Sequence, residues 1–161
     1  MGKGTKHLRD WKETTLQVVV DAKRLFCHSI HIMGNPKCFD PKNDFQNTTL
    51  LRLADTFLSI YSNVWDANHI NAIKNPDQAS ERLELQNWAI VYCRQALMLV
   101  ELAKPLFHLD SRKYWNWANM IVNLGKKLDA WHKSDVERYA ESGCKLKSLR
   151  LERVAEESES R

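Results

Sequence analysis

Apolar residues recur along most of this chain at steps of three and four, the spacing that lines one face of an α-helix. A first helix is expected over about Glu13–Met33, with Leu16, Val19, Val20, Phe26, Cys27, Ile30 and Met33 as its stripe. The segment GNPKCFDPKNDF then breaks the pattern, because Gly34 can end a helix and Pro36 and Pro41 cannot sit inside one. A second helix is expected from Asn47 or Thr48 to about Ala72, lined by Leu50, Leu53, Ala54, Phe57, Leu58, Tyr61, Val64 and Trp65. Asn75, Pro76 and Gln78 read as the cap, first position and capping-box partner of a third helix running to about Leu109. Its stripe includes Leu83, Gln86, Ala89, Ile90, Cys93, Ala96, Leu97, Val100, Ala103 and Phe107, and Pro105 should kink or end its last turn. A fourth helix, about Ser111–His132 and capped by Asp110 or Ser111, carries Tyr114, Trp117, Ala118, Ile121, Leu124, Leu128 and Trp131, with Gly125 allowing close backbone approach. The S-x-x-E box at Ser134–Glu137 could open a short fifth helix. No stretch alternates with period two, so the predicted fold is all-α: an antiparallel, up-down-up-down four-helix bundle. The bundle should span residues 13–136, between a basic arm at 1–12 and a charged tail at 137–161.

Composition changes this picture little. With 161 residues, 43% of them apolar and 27% charged, one domain with a sizeable core is expected. No apolar run is long enough to cross a membrane, and no apolar segment follows the N-terminus as in a signal peptide. Lys6 stands where a myristoylation pattern wants Ser or Thr, so a cytoplasmic protein is expected. Cys27, Cys38, Cys93 and Cys144 show no C-x-x-C pairing and read as reduced thiols.

Charge matters more. The net charge is +4, but residues 151–161 hold four glutamates against two arginines, so the remainder is more basic still. Lys23, Arg24, Arg52, Arg94, Lys104, Arg112, Lys113, Lys126, Lys127 and Lys133 are the candidate phosphate contacts. Any one of them is equally a residue on the wet back of an amphipathic helix. Trp11, Trp88 and Trp115 lie off the apolar stripes, and Trp88 and Trp115 are the candidates for an interface with another subunit or partner.

Catalytic readings are thin. Arg24, His28 and His31 fall within two turns of one helix and resemble the arginine–histidine motif of helical ribonucleases of the HEPN type. The resemblance is incomplete, since Leu25 replaces the usual polar residue and the motif lies on the first helix. Asp66-Ala-Asn-His69 is one imperfect Glu-x-x-His analogue, where a di-iron bundle needs two, so no metal site and no cofactor are expected.

An ordered series of segments carries a closer resemblance. Asp21-Ala-Lys-Arg-Leu25 is similar to an "EAKRL" helix, Asn35–Lys42 to an "N-x-K-x-F-P-K" loop, and Ile60–Asn68 to an "A-L-x-I-Y-E-N-x-x-E-A-N" helix. ERLELQ (81–86), LVELAKPLFHL (99–109) and AWHKSD (130–135) continue it. Together, over about residues 14–136, they resemble the small four-helix-bundle proteins encoded in intervening sequences of 23S ribosomal RNA genes and the accessory variability determinant, Avd, of diversity-generating retroelements. Asp21, Ser62 and Asp66 each replace a glutamate of that pattern. The resemblance implies a non-enzymatic protein that forms a basic, barrel-shaped homopentamer. Its partners would be a reverse transcriptase and its template RNA, with DNA as the copied strand. The intervening-sequence relatives share the fold without an assigned activity.

Overall fold

The computed structural model describes residues 16–159 apart from Pro41, and side chains as far as Glu141. Among the described residues the fold has four α-helices, α1 (Gln17–Met33), α2 (Asp44–His69), α3 (Ala79–Leu106) and α4 (Ser111–Glu159), with a 3-10 turn at Pro76–Gln78. The described residues contain no strand. Each helix packs against its chain neighbours and α4 closes the ring against α1, while the backbones of the diagonal pairs stay apart. Ser29 meets Trp117 and Asp21 meets Lys127, so α1 and α4 run antiparallel. Arg82 meets Asp135, and Lys104 lies against Tyr114, which sets α3 antiparallel to α4. The antiparallel four-helix bundle expected from the periodicity is therefore the fold.

Helix ends explain where the expected boundaries shift. Leu16 is extended and α1 begins at Gln17; the expected start at Glu13, the arm at 1–12 and Trp11 lie outside the described residues. The second helix starts three residues before Asn47, because Asn43 accepts a hydrogen bond from the Gln46 N–H (3.1 Å) and caps it. Asn75 makes no side-chain cap; Pro76–Gln78 wind into the 3-10 turn instead, and α3 begins at Ala79. Asp110 is the α4 cap, accepting from the Lys113 N–H at 2.9 Å. Pro105 sits in the last turn of α3, which ends at Leu106.

No fifth helix opens at Ser134. α4 runs unbroken for 49 residues, about 73 Å at 1.5 Å per residue, and so overruns the bundle. Nothing between His132 and Glu137 breaks a helix, and Asp135 faces inward rather than away from a new start.

Leu25, Leu53, Phe57, Ile60, Val64, Val100, Trp117, Ile121, Leu124 and Leu128 fill the centre. Trp117 crosses the diagonal to stack on Phe57, with ring centroids 5.5 Å apart. Its indole N–H donates to Ser29 Oγ (2.8 Å), and that hydroxyl donates in turn to the Leu25 carbonyl (2.7 Å). Gly125 is not required for close approach: a Cβ there would lie 3.9 Å from Cys93 Cβ, an ordinary contact. Val20, Ile30 and Leu58, expected on inner stripes, are instead exposed.

A polar cluster closes one end of the bundle. Asp135 is 1% exposed and accepts hydrogen bonds from Arg82 Nε (2.8 Å) and Gln86 Nε2 (2.7 Å). Arg82 also donates to the carbonyls of Ala67 and Ile70 at the end of α2, and its guanidinium lies 5.0 Å from the Trp131 ring centre. One arginine thus joins three helices.

Candidate nucleic-acid interface and the α1–α4 groove

The basic residues divide by helix. Over the length where α4 runs beside α1, residues 111–134 and α1 together carry seven lysines and arginines (Lys23, Arg24, Arg112, Lys113, Lys126, Lys127, Lys133) against two aspartates. α2 and α3 together carry four lysines and arginines against six aspartates and glutamates. Counted by helix, the adjacent α1 and α4 make a layer of net +5 and α2 and α3 a layer of net −2. Six of the seven are exposed and Lys113 is half-buried. Arg52 and Arg94 stand apart on α2 and α3, and Lys104 is turned over the rings of Tyr114 and Trp115, 4.5 and 5.9 Å from their centres.

A groove between α1 and α4 runs through this positive side. At one end Asp21 pairs with Lys127 and with Arg24, beside a hollow that Met120 and Asn123 also line. Burial pulls the Asp21 pKa upward, but hydrogen bonds from Lys127 and Gln17, and the charges of Lys127 and Arg24, outweigh it. The carboxyl therefore titrates below its ordinary range. Asp21 faces this groove, whereas Asp129 and Lys126 both line the hollow between α3 and α4, with Arg94 and Cys93. Burial and then Asp129 push the Cys93 thiol up to about 12, which makes it inert as a nucleophile.

Further along the same two helices is a pocket of about 140 Å³ with Ile32 among its lining. His28 and His31 reach it from α1, Asn35 and Cys38 from the connector, and Lys113 and Asn116 from α4. Lys113 Nζ lies 3.6 Å from Cys38 Sγ and 3.5 Å from Asp110 Oδ2. His28 Nε2 is buried without a hydrogen-bond partner among the described residues. Burial first, and the neighbouring His31 second, hold its pKa below the ordinary histidine range. Of the ribonuclease-like trio, His28 and His31 thus share this pocket while Arg24 lines the hollow next to it.

Both off-stripe tryptophans within the described residues are exposed, Trp88 by 47% and Trp115 by 58%. Trp88 belongs to a larger feature outside the inner stripe of α3. Trp88, Val91, Met98, Leu102 and Leu106 recur at helical steps down α3 on the side away from the core, with Gln95 between them. From Trp88 to Leu106 this second stripe contains no charge. Cys27, Cys38 and Cys93 are free thiols, while the side chain of Cys144 lies outside the described residues. No group of three or more metal-ligating side chains occurs among the described residues, and no helix there is long and apolar enough to cross a membrane.

Comparison of the chain with protein families, curated proteins and solved structures finds no match in any of the three.

Proposed function

We propose that this protein is a non-enzymatic, cytoplasmic accessory subunit that binds nucleic acid along the positive α1–α4 side. The seven cations gathered on two adjacent helices carry the reading. Phosphate contacts from such a surface are largely independent of sequence and weaken steeply with salt. The order of segments that resembles Avd gives the partners their identity: a retroelement reverse transcriptase and its template RNA, with the cDNA made from it. An RNA role for an intervening-sequence protein would use the same surface. The two differ in setting, since a reverse transcriptase gene beside paired template and variable repeats supports the first, and a ribosomal RNA gene supports the second.

Binding is tested by charge reversal. Lys126→Glu with Lys127→Glu should weaken RNA affinity and make its salt dependence shallower, by roughly 0.7 in the log–log slope for each phosphate no longer neutralised. Arg52→Glu, on the opposite side, should leave both unchanged. Equal affinity of the two variants at all salt concentrations would remove the assignment of this face. RNA recovered intact after incubation, with wild type and with His28→Ala, His31→Ala alike, is the outcome expected of a binder rather than a ribonuclease.

The uncharged second stripe of α3 supports self-association, with a second copy of this chain as its occupant. An exposed, contiguous apolar stripe of this kind is the usual mark of a protein–protein contact. Two copies of an uncharged face meet without like-charge repulsion, and the stripe offers no cation to a phosphate. Leu102→Glu should therefore shift the oligomer, a pentamer by resemblance, towards monomer in sedimentation while the helical circular dichroism is kept. A wild-type protein that sediments as a monomer at micromolar concentration would refute this part.

A further inference from the structure

The pocket at the C-terminal end of α1 is more than a continuation of the positive face. Its polar lining can donate hydrogen bonds: the ammonium of Lys113, the side-chain amides of Asn35 and Asn116, and the imidazoles of His28 and His31. No carboxylate lines it; Asp110 pairs with Lys113, whose ammonium also meets Cys38. A buried imidazole nitrogen without a partner is uncommon, because an unmade hydrogen bond costs the full desolvation of the group. Among the described residues His28 Nε2 is such an atom, and the His28 side chain lines this pocket beside Lys113 and Asn116.

We propose that this pocket seats a single phosphate group of a bound RNA strand, with His28 and Lys113 as its principal donors. The inference rests on the reading of the α1–α4 side as the nucleic-acid surface and adds to it a defined anchoring point. A pocket of about 140 Å³ has room for a tetrahedral oxyanion. The chemistry also explains the burial of His28. A neutral imidazole is tolerated there in the free protein, and a dianionic or monoanionic phosphate would favour its charged, doubly donating form.

The groups facing His28 are His31 on its own helix, Cys38 in the connector and Lys113 on α4, with Asp110 acting through Lys113. Three of the four leave the protonated imidazole uncompensated, so an entering anion is the main influence that can raise its pKa. The test follows the His28 ring signal by NMR across pH, in chloride and in inorganic phosphate at equal ionic strength. His28→Gln assigns the signal. The apparent pKa should rise in phosphate, and Lys113→Gln or Asn116→Asp should abolish the rise. A His28 titration that is the same in both salts would overturn the proposal.

The same variants, each at an otherwise exposed or half-buried position, should weaken binding of a single-stranded RNA about tenfold, the worth of one charge-assisted hydrogen bond. RNA carrying a 5′-phosphate, compared with the same RNA ending in a hydroxyl, separates a terminal monoester from an internal diester in the pocket. RNA binding that depends on Lys126 and Lys127 but ignores His28, Lys113 and Asn116 would sink the pocket and leave the face. A phosphate response at His28 without RNA binding would do the reverse.

Discussion

Asp135→Ala should cost about 3–5 kcal/mol of folding stability, the usual penalty for removing one partner of a buried ion pair. Asp135 is almost fully enclosed, and its carboxylate is the acceptor for both Arg82 and Gln86. Truncation strands a guanidinium whose side chain is only 12% exposed and leaves the Gln86 amide without its acceptor. The Arg82 contacts to the Ala67 and Ile70 carbonyls survive, so the helix ends remain tied and the loss stays finite. Arg82→Lys should also be damaging, because a single ammonium cannot hold Asp135 and two carbonyls in the geometry of a planar fork. Urea unfolding followed by circular dichroism measures both. The double variant Arg82→Ala, Asp135→Ala should lose less than the sum of the single losses. An Asp135→Ala protein within about 1 kcal/mol of wild type would show that the pair contributes far less than buried pairs do.

Trp117→Ala should be comparably severe, about 3–5 kcal/mol, for a different reason. The indole is fully buried, stacks on Phe57 and supplies the hydrogen bond to Ser29 Oγ. Alanine leaves a cavity at the middle of the diagonal, where neither α2 nor α4 can collapse without breaking its contacts to α3. Trp117→Phe separates the two contributions. It restores most of the apolar volume but not the donor, and Ser29 keeps its bond to the Leu25 carbonyl, so a loss of about 1–2 kcal/mol is expected. Equal losses for Ala and Phe would assign the effect to the hydrogen bond rather than to packing. Native domains commonly hold only about 5–15 kcal/mol in total, so either alanine variant should melt well below wild type.

These two sites also show what was legible beforehand. Trp117, Ile121, Leu124 and Leu128 declared themselves by spacing, because an inward helical face must repeat every three or four residues. The same rule placed Gln86 on the inner stripe, and it is indeed buried, but as a hydrogen-bond donor. Arg82 and Asp135 lie 53 residues apart, and nothing local announces that two charged side chains will meet inside. The S-x-x-E box misled because its residues suit a helix interior as well as a helix start, and no breaker precedes it. For the candidate site, the sequence named the basic residues but not their division between two sides of the bundle. That division depends on which helices are neighbours, a property of topology. The His28 pocket was visible only as a histidine pair; Lys113 and Asn116 line it from a helix much further along the chain. The outer stripe of α3 was readable in principle, since Trp88, Met98, Leu102 and Leu106 are as periodic as the core.

Two of the inward polar contacts of α4, those of Trp117 and Asp135, have a joint consequence. Trp117 and Asp135 are separated by 18 residues, which is five full turns, so they point to the same side of the helix. An oily seam tolerates a helix sliding or turning by one notch at modest cost. Two hydrogen-bonded marks at a fixed pitch do not, because a one-residue slip turns each through about 100° and breaks both together. They index α4 as teeth index a key, and the outward lysines inherit their bearing from that alignment.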